Sequence, residues 1–309
     1  RMKAPRRRDG TTFWRVYKDL GEPSRYMERF IIESWAGYLH QRARATLADQ
    51  ALETEVRAFL APGETPVLTE DSYISPDINI AISRTRDEES RSDIVIADVY
   101  VSSVAYLRRA FALDRYAGDL RSIKTIAGDS DAILAMTGDY ATLLTAGLVV
   151  ANGEVWRKTE NRARDNCLIL KDGRMLTFPR REVDVPAMLE NGVWHSFLFG
   201  PALMENGEAI KEFDSTIRRA NPRSVLGFYE PGHYAFVVVD GRTSANRGMT
   251  LEQMSAFMQQ LGCQAAYNLD GGQSAMLWFN GEILNNPIKG GRRLKDIVIV
   301  AELPEGKAE

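Results

Sequence analysis

Asp270 stands at the end of the run Tyr267-Asn268-Leu269 and is followed at once by Gly271, Gly272, Gln273 and Ser274. An acid, two glycines, an amide and a hydroxyl in five residues can bind a polar ligand or act on it. The residues from Cys263 to Leu269 read as a short strand, and those from Ala275 to Phe279 as another. The carboxylate is then fixed at a strand end. Gly271 and Gly272 tolerate positive φ, let a ligand approach the backbone, and can aim N–H groups at an anion. A plain tight turn in a β-protein has the same composition, so the weight must come from the rest of the chain.

Two more apolar runs end in the same way. Tyr234 to Val239 reads as a buried strand and stops at Asp240-Gly241-Arg242, while Ala132 to Met136 stops at Thr137-Gly138-Asp139-Tyr140. Between Asp240 and Asp270 lies a helix with clear ends: Thr250 and Gln253 form a capping box, Leu251, Met254, Met258 and Leu261 share a face, and Gly262 stops it. If the strands before and after that helix are parallel neighbours, Asp240 and Asp270 reach the same sheet edge. Phe199-Gly200-Pro201 and Pro222-Arg223 add a further glycine loop and an arginine beside an apolar segment.

Composition narrows the classes. The 309 residues are 44% hydrophobic with a net charge of −3, which suits a soluble globular protein with a proper core and gives no footprint for nucleic acid. No run of about 18 apolar residues is present to cross a membrane. Arg1, Lys3, Arg6, Arg7 and Arg8 cluster at the start, and the chain begins with Arg instead of Met. Membrane association is therefore expected only through a segment outside this sequence. Cys167, Cys263, His40, His195 and His233 fall in no metal-ligand spacing. The sequence requires no cofactor, and a carboxylate-held divalent ion has no motif behind it.

The elements that must position these residues change near residue 60. From Ser24 to Leu60 the chain is rich in Ala, Glu, Arg and Leu and reads as helices, so residues 1–60 are expected to form a helical N-terminal segment. Ala61-Pro62-Gly63 then breaks the pattern, and residues 61–309 form the main domain. Asn152-Gly153, Asp172-Gly173, Asn206-Gly207 and Asn280-Gly281 each sit between apolar runs, where they predict hairpins.

Taken in order, these motifs resemble the phosphodiester glycosidase family: Gly-Asp-Tyr at 138–140, Phe-Gly-Pro at 199–201, Pro-Arg at 222–223, Val-Asp-Gly-Arg at 239–242, Gly-Met-Thr-Leu at 248–251, Asn-Leu-Asp-Gly-Gly at 268–272, then Arg292 and Asp296. The resemblance runs from about Ile94 to Val300. It departs from the family pattern at Thr137, Gln273 and Ala275, where the family commonly has Asn, Gly and Ser. It implies an α+β fold with a mixed, curved central sheet, hairpins and packed helices. The implied reaction is hydrolysis of a sugar-1-phosphodiester, such as an N-acetylglucosamine-1-phosphodiester, between the anomeric carbon and the phosphodiester oxygen.

Such chemistry usually needs two carboxyl groups, but a phosphomonoester with a second pKa of about 6 leaves without strong acid help. Asp270 and Asp139 are then the catalytic candidates at the anomeric carbon. Arg223 is the candidate for the phosphate, because a guanidinium holds two phosphate oxygens at once. Substrate contacts are expected from Thr137, Gly138, Gly200, Gly271, Gly272, Gln273, Ser274, Asp240, Arg242 and Arg292, with Ser274 as a hydrogen-bond donor. Asp240 and Arg242 suit equally a structural pair behind the site. Asp98, Arg108 and His233 are weaker candidates. The implied partner is a phosphorylated carbohydrate met outside the cytoplasm. Two alternatives stand beside hydrolysis: a glycosyl-phosphate transferase in exopolysaccharide metabolism and a non-catalytic phosphoglycan-binding module. A homo-oligomer is left open.

Overall fold

The computed structural model describes residues 11–18, 26–32, 71–140, 143–205 and 207–303. Contacts divide the chain into two compact units, Arg1–Val67 and Leu68–Glu309. In the first, β1 (Thr11–Lys18) pairs antiparallel with β2 (Tyr26–Ile32). This corrects the helical reading of residues 1–60 where it can be compared. Tyr26, Phe30, Ile31 and Ile32 are aromatic and β-branched types that suit a strand better than a helix. The Ala-rich stretch from Ala43 lies outside the described residues.

The second unit begins with β3 (Asp71–Ile74), β4 (Ile78–Asp87) and β5 (Ser92–Val101), then continues through β6 (Leu107–Phe111), helix α1 (Ile123–Asp129) and β7 (Ala132–Thr137). A hairpin of β8 (Leu148–Ala151) and β9 (Glu154–Lys158) follows, with β10 (Asn166–Leu170), β11 (Met175–Phe178), helix α2 (Val185–Glu190) and β12 (Val193–Phe197). After the short pair β13 (Met204–Glu205) and β14 (Glu208–Ala209) come β15 (Arg223–Glu230), β16 (His233–Val239), helix α3 (Leu251–Gln260) and β17 (Ala265–Leu269). The last three strands are β18 (Leu277–Phe279), β19 (Glu282–Ile283) and β20 (Asp296–Ala301).

Two sheets carry the architecture, one ordered β17-β15-β16-β5-β4-β3 and the other β19-β18-β7-β20-β6. The fold is sheet-rich with few helices, and where one mixed central sheet was expected there are two main sheets, both paired antiparallel throughout. The largest core cluster draws on both, with Ile80, Val99 and Phe236 from the first and Leu134, Leu277 and Val298 from the second. Strand alternation explains the layering. On β16, Tyr234, Phe236 and Val238 enter that cluster, while Ala235, Val237 and Val239 pack with Met254 and Met258 of α3. On β20, Val298 and Val300 face the same cluster, and Ile297 and Ile299 pack with Ile123 and Ile126 of α1. Each strand is thus apolar on both faces, as a strand covered on both sides must be.

The local signals hold at named positions. Thr250 caps α3 with its reciprocal bond to Gln253, and Gly262 follows at φ 86°. Asn152 and Gly153, and likewise Asn280 and Gly281, both take positive φ, as a type I′ turn needs. At Asp172-Gly173 only the glycine does. The strands that deliver Asp240 and Asp270 are not neighbours, because β15 lies between β16 and β17 and pairs antiparallel with each. The two acids still leave the same end of the sheet, separated by Pro222 and Arg223 at the start of β15.

Candidate functional site

Three acids from three segments meet around one peptide unit. The Gly138 N–H donates to the Asp296 carbonyl at 3.3 Å, and the Asp270 N–H donates to the Gly138 carbonyl at 3.2 Å. A Cβ on Gly138 would sit 2.6 Å from Asp296 Oδ2, so only glycine lets the ends of β7 and β17 approach the start of β20. Thr137 ties the same junction from the other side. Its hydroxyl donates to the Ser274 carbonyl and accepts from the Met276 N–H at 3.2 Å.

Below this junction the charges are buried and paired. Arg109, 2% exposed on β6, donates from Nε to Asp296 Oδ2 at 2.7 Å, and its Nη2 lies 2.7 Å from Asp296 Oδ2 and 3.7 Å from Asp139 Oδ2. Asp296 Oδ2 also accepts the Asp139 N–H at 3.1 Å. The Asp139 carboxyl accepts the N–H groups of Leu198 at 2.8 Å and Phe199 at 2.6 Å. Burial pushes Asp139 up to about 6, against the opposing pull of Arg109 and with a further push from Asp296. Asp296 is also raised by burial, with Arg109 acting against it. Among the described residues, no group of three or more His, Cys, Asp or Glu is arranged to hold a metal ion.

Above the junction the chemistry opens to solvent. A pocket is lined by Thr137, Asp139, Tyr140, Asp270, Ser274 and Asp296, and by exposed Arg292 and Arg293. Asp270 is only partly buried. Burial raises its pKa, and the Ser274 hydroxyl, the Arg292 charge and the Gly271 N–H hold it down. Gln273 sits beside the pocket and donates from Nε2 to the Gly291 carbonyl at 2.9 Å. Its amide fixes the loop that carries Arg292 and is already committed there.

Several expected contacts fall elsewhere. Arg223 is buried and donates to the carbonyls of Met249 at 3.0 Å and of Ile217 and Arg219 at 2.7 Å each. It is absent from the pocket lining, and burial brings its pKa down to about 10. The expected phosphate ligand Arg223 is thus not brought to this pocket: its Nε and Nη2 are held by three backbone carbonyls of the surrounding framework. Gly272 donates its N–H to the Pro222 carbonyl at 2.9 Å, and Gly271 serves Asp270, so neither amide is a spare anion donor. Asp240 holds Asn285 Nδ2 at 2.8 Å and the Asn286 N–H at 2.9 Å. Arg242 grips Asn221 Oδ1 at 2.7 Å and lies against Gly272. Gly200, at φ 68°, gives its carbonyl to Asn268 Nδ2 at 2.8 Å. Asp98 and His233 pair at 2.7 Å, with His233 stacked on Tyr100 and Tyr229. They do not line the pocket.

Arg109 is the residue sequence reasoning missed. Its signal is an arginine inside the apolar strand Leu107-Arg108-Arg109-Ala110-Phe111, where the adjacent Arg108 drew attention instead. His195 is buried, with burial lowering its pKa to about 3. It is neutral and outside the pocket.

Comparison with known proteins gives the family of the chain. A family model described as phosphodiester glycosidase matches residues 130–301, more than half of the chain. The chain belongs to the phosphodiester glycosidase family. The catalytic domain of zebrafish N-acetylglucosamine-1-phosphodiester alpha-N-acetylglucosaminidase, auto-inhibited by pro-peptide, superposes with a TM-score of 0.61 at 21% identity, covering 78% of this chain and 88% of that one. A hypothetical protein from Synechocystis superposes with a TM-score of 0.51 at 15% identity, covering 77% of this chain and 64% of that one. Both show a shared fold. The SPbeta prophage-derived uncharacterized protein YomE of Bacillus subtilis strain 168 is 28% identical over 153 residues, 48% of this chain and 24% of YomE. The matched segment thus spans about a quarter of that relative. A second family model, transmembrane secretion effector, matches residues 1–75. No helix among the described residues is long and apolar enough to cross a membrane.

Proposed function

We propose that this phosphodiester glycosidase hydrolyses a sugar-1-phosphodiester at the bond between the anomeric carbon and the phosphodiester oxygen. The products are free sugar and a phosphomonoester. N-acetylglucosamine-1-phosphodiester, the substrate in the name of the zebrafish relative, is the first candidate. The observation that carries the proposal is the partly buried Asp270 and the exposed Arg292 lining one pocket, with the Arg292 charge acting on the Asp270 carboxyl.

Asp270 faces the positive charge that grows on the anomeric carbon as the bond to oxygen breaks. It accepts the proton of the water that takes the phosphate's place. The bonding electrons leave with the phosphodiester oxygen, and Arg292 and Arg293 offset the second negative charge of the departing phosphomonoester. Because that leaving group is already weakly basic, no strong general acid is needed. Asp139 and Asp296 act through position, since both are buried around Arg109. We place the reaction outside the cytoplasm, following the resemblance that points to phosphorylated glycans.

Release of free sugar is the test, using sugar-1-phosphodiesters with sugar-1-phosphates and aryl glycosides as controls. Wild-type protein is expected to cleave the diesters, and folded Asp270→Asn to lose at least about 100-fold in kcat, the scale of a positioned proton acceptor. No sugar from any diester, or a folded Asp270→Asn at near wild-type rate, overturns the proposal. Sugar transferred to an added alcohol in preference to water favours the transferase reading.

A further inference from the structure

The pocket that holds Asp270 and Arg292 is also lined by Leu120, Tyr140 and Leu143, which are 43%, 36% and 49% exposed. Among the described residues only eight large apolar side chains are that exposed. Three of them lining one pocket is a concentration that scattered surface residues do not produce.

Their exposure is fixed by polar anchors. Lys295 Nζ donates to the Gly118 carbonyl at 2.5 Å, and Arg121 and Leu294 exchange backbone hydrogen bonds of 3.0 and 2.7 Å. These bonds hold the loop of Leu120 against the segment that bears Arg293. Arg157 Nε and Nη2 donate to the carbonyls of Gly147 at 2.7 Å and Ala146 at 3.1 Å, and Nη1 donates to that of Leu144. That clamp fixes the loop just after Leu143. The Tyr140 ring packs edge-on against Phe199 with centroids 6.2 Å apart, next to the backbone amide that binds Asp139.

A leucine offers a sugar hydroxyl neither donor nor acceptor, so Leu120 and Leu143 are poor partners for a glycan on the far side of the phosphate. They suit methylene groups. Arg292 and Arg293 meanwhile supply exposed positive charge at the same pocket. We infer that the apolar wall of Leu120, Tyr140 and Leu143 binds an aliphatic chain esterified to the phosphate, so that the preferred substrate is a sugar-1-phosphodiester of a long-chain alcohol. This inference rests on the proposed hydrolase reading for its sugar end, while the wall itself is testable without turnover.

The probes are octyl phosphate, kept below its micelle concentration, and methyl phosphate, each titrated calorimetrically into the full chain. Burial of even two or three methylenes predicts octyl phosphate to bind at least about tenfold tighter. In the double variant Leu120→Asn, Leu143→Asn the octyl-to-methyl preference is expected to fall to about twofold or less. Each single variant should give an intermediate value. Equal affinity of the two phosphates in the wild type, or a preference unchanged in the double variant, overturns the inference. So does a loss confined to free-sugar binding, which would assign the wall to the sugar ring. Octyl and methyl esters of one sugar-1-phosphate then separate the two readings. An intact octyl-phosphate preference without sugar release from either ester sinks the hydrolase and keeps the wall, whereas equal kcat/KM on both esters with no preference does the reverse.

Discussion

Arg109 and Arg292 belong to the same site and meet carboxylates in opposite ways. Arg109 is buried, bonded to Asp296 and close to Asp139. Arg292 is exposed and acts on Asp270 at a distance. A charge enclosed by protein has its partners chosen during folding, and losing one partner leaves the other stranded in a poor solvent for ions. A charge at the rim keeps its donors for whatever enters. On the proposed reading the contrast separates Asp270 and Arg292, which meet solvent at the pocket, from Arg109 and the two buried acids it holds, Asp139 and Asp296. Arg223 falls on the buried side by the same criterion, because backbone carbonyls already occupy it.

The strongest way to break the contrast is Arg109→Met. Removing the cation from two buried carboxyls is expected to cost about 3–5 kcal/mol in denaturant unfolding at neutral pH. The deficit should shrink as the solution is acidified, since protonated Asp139 and Asp296 no longer need the charge. In the wild type, Asp139 has a folded pKa raised to about 6. Its stabilising contribution is therefore complete below its ordinary value near 3.8 and is lost as pH rises through about 6. A variant as stable as wild type at pH 7 would show that the two acids do not depend on Arg109.

Next in size is Arg223→Met, which leaves three carbonyls without their donor and should cost about 2–4 kcal/mol. Its affinity for methyl phosphate, measured under folded conditions, should stay within about twofold of wild type. A tenfold loss of phosphate affinity at unchanged stability would restore Arg223 as the phosphate ligand. Arg292→Gln is expected to behave in the opposite sense. Its melting temperature should hold while methyl phosphate binding weakens about tenfold, the loss of one charge-assisted contact. Because Arg292 holds the Asp270 pKa down, its removal should also move the acid limb of kcat/KM to higher pH. The smallest effect is assigned to Gln273→Ala, which frees the Gly291 carbonyl and should cost about 1 kcal/mol, seen as a modest weakening of phosphate binding. No change in either quantity would end the idea that Gln273 steadies the Arg292 loop.

What the sequence revealed follows the range of each interaction. The ends of α3 were legible because Thr250, Gln253 and Gly262 act within a few residues of one another. Asp139 and Asp270 were legible as strand-end acids, and the ordered motifs told that the ends belong together. That Arg223 lies away from the pocket was not legible, because a guanidinium beside an apolar run has the same local sequence whether it grips a ligand or nearby carbonyls such as those of Ile217 and Arg219. Arg109 was missed because its acceptor Asp296 is 187 residues away. Leu120 and Leu143 carry no signal in the sequence, and only the fold brings them, with Tyr140 of the Gly-Asp-Tyr motif, to one surface beside Asp270. The strand at Tyr26–Ile32 was obscured by the helix-forming composition downstream of it.

β20 is the last described strand in the chain and yet lies inside its sheet, between β7 and β6. As the ribosome delivers the chain, that slot waits unfilled while all the strands from β8 to β19 emerge, and the β7–β6 gap is closed only by a segment more than 150 residues younger than either flank. Long-range pairings of this kind form late and slowly. Asp296 arrives with the same strand, so the step that seals the second sheet also supplies the acid around which Gly138 and Arg109 settle. A nascent chain stalled before residue 296 therefore carries Asp139 and Asp270 without the strand that joins β7 to β6, and the junction at Gly138 is completed only once β20 has been made.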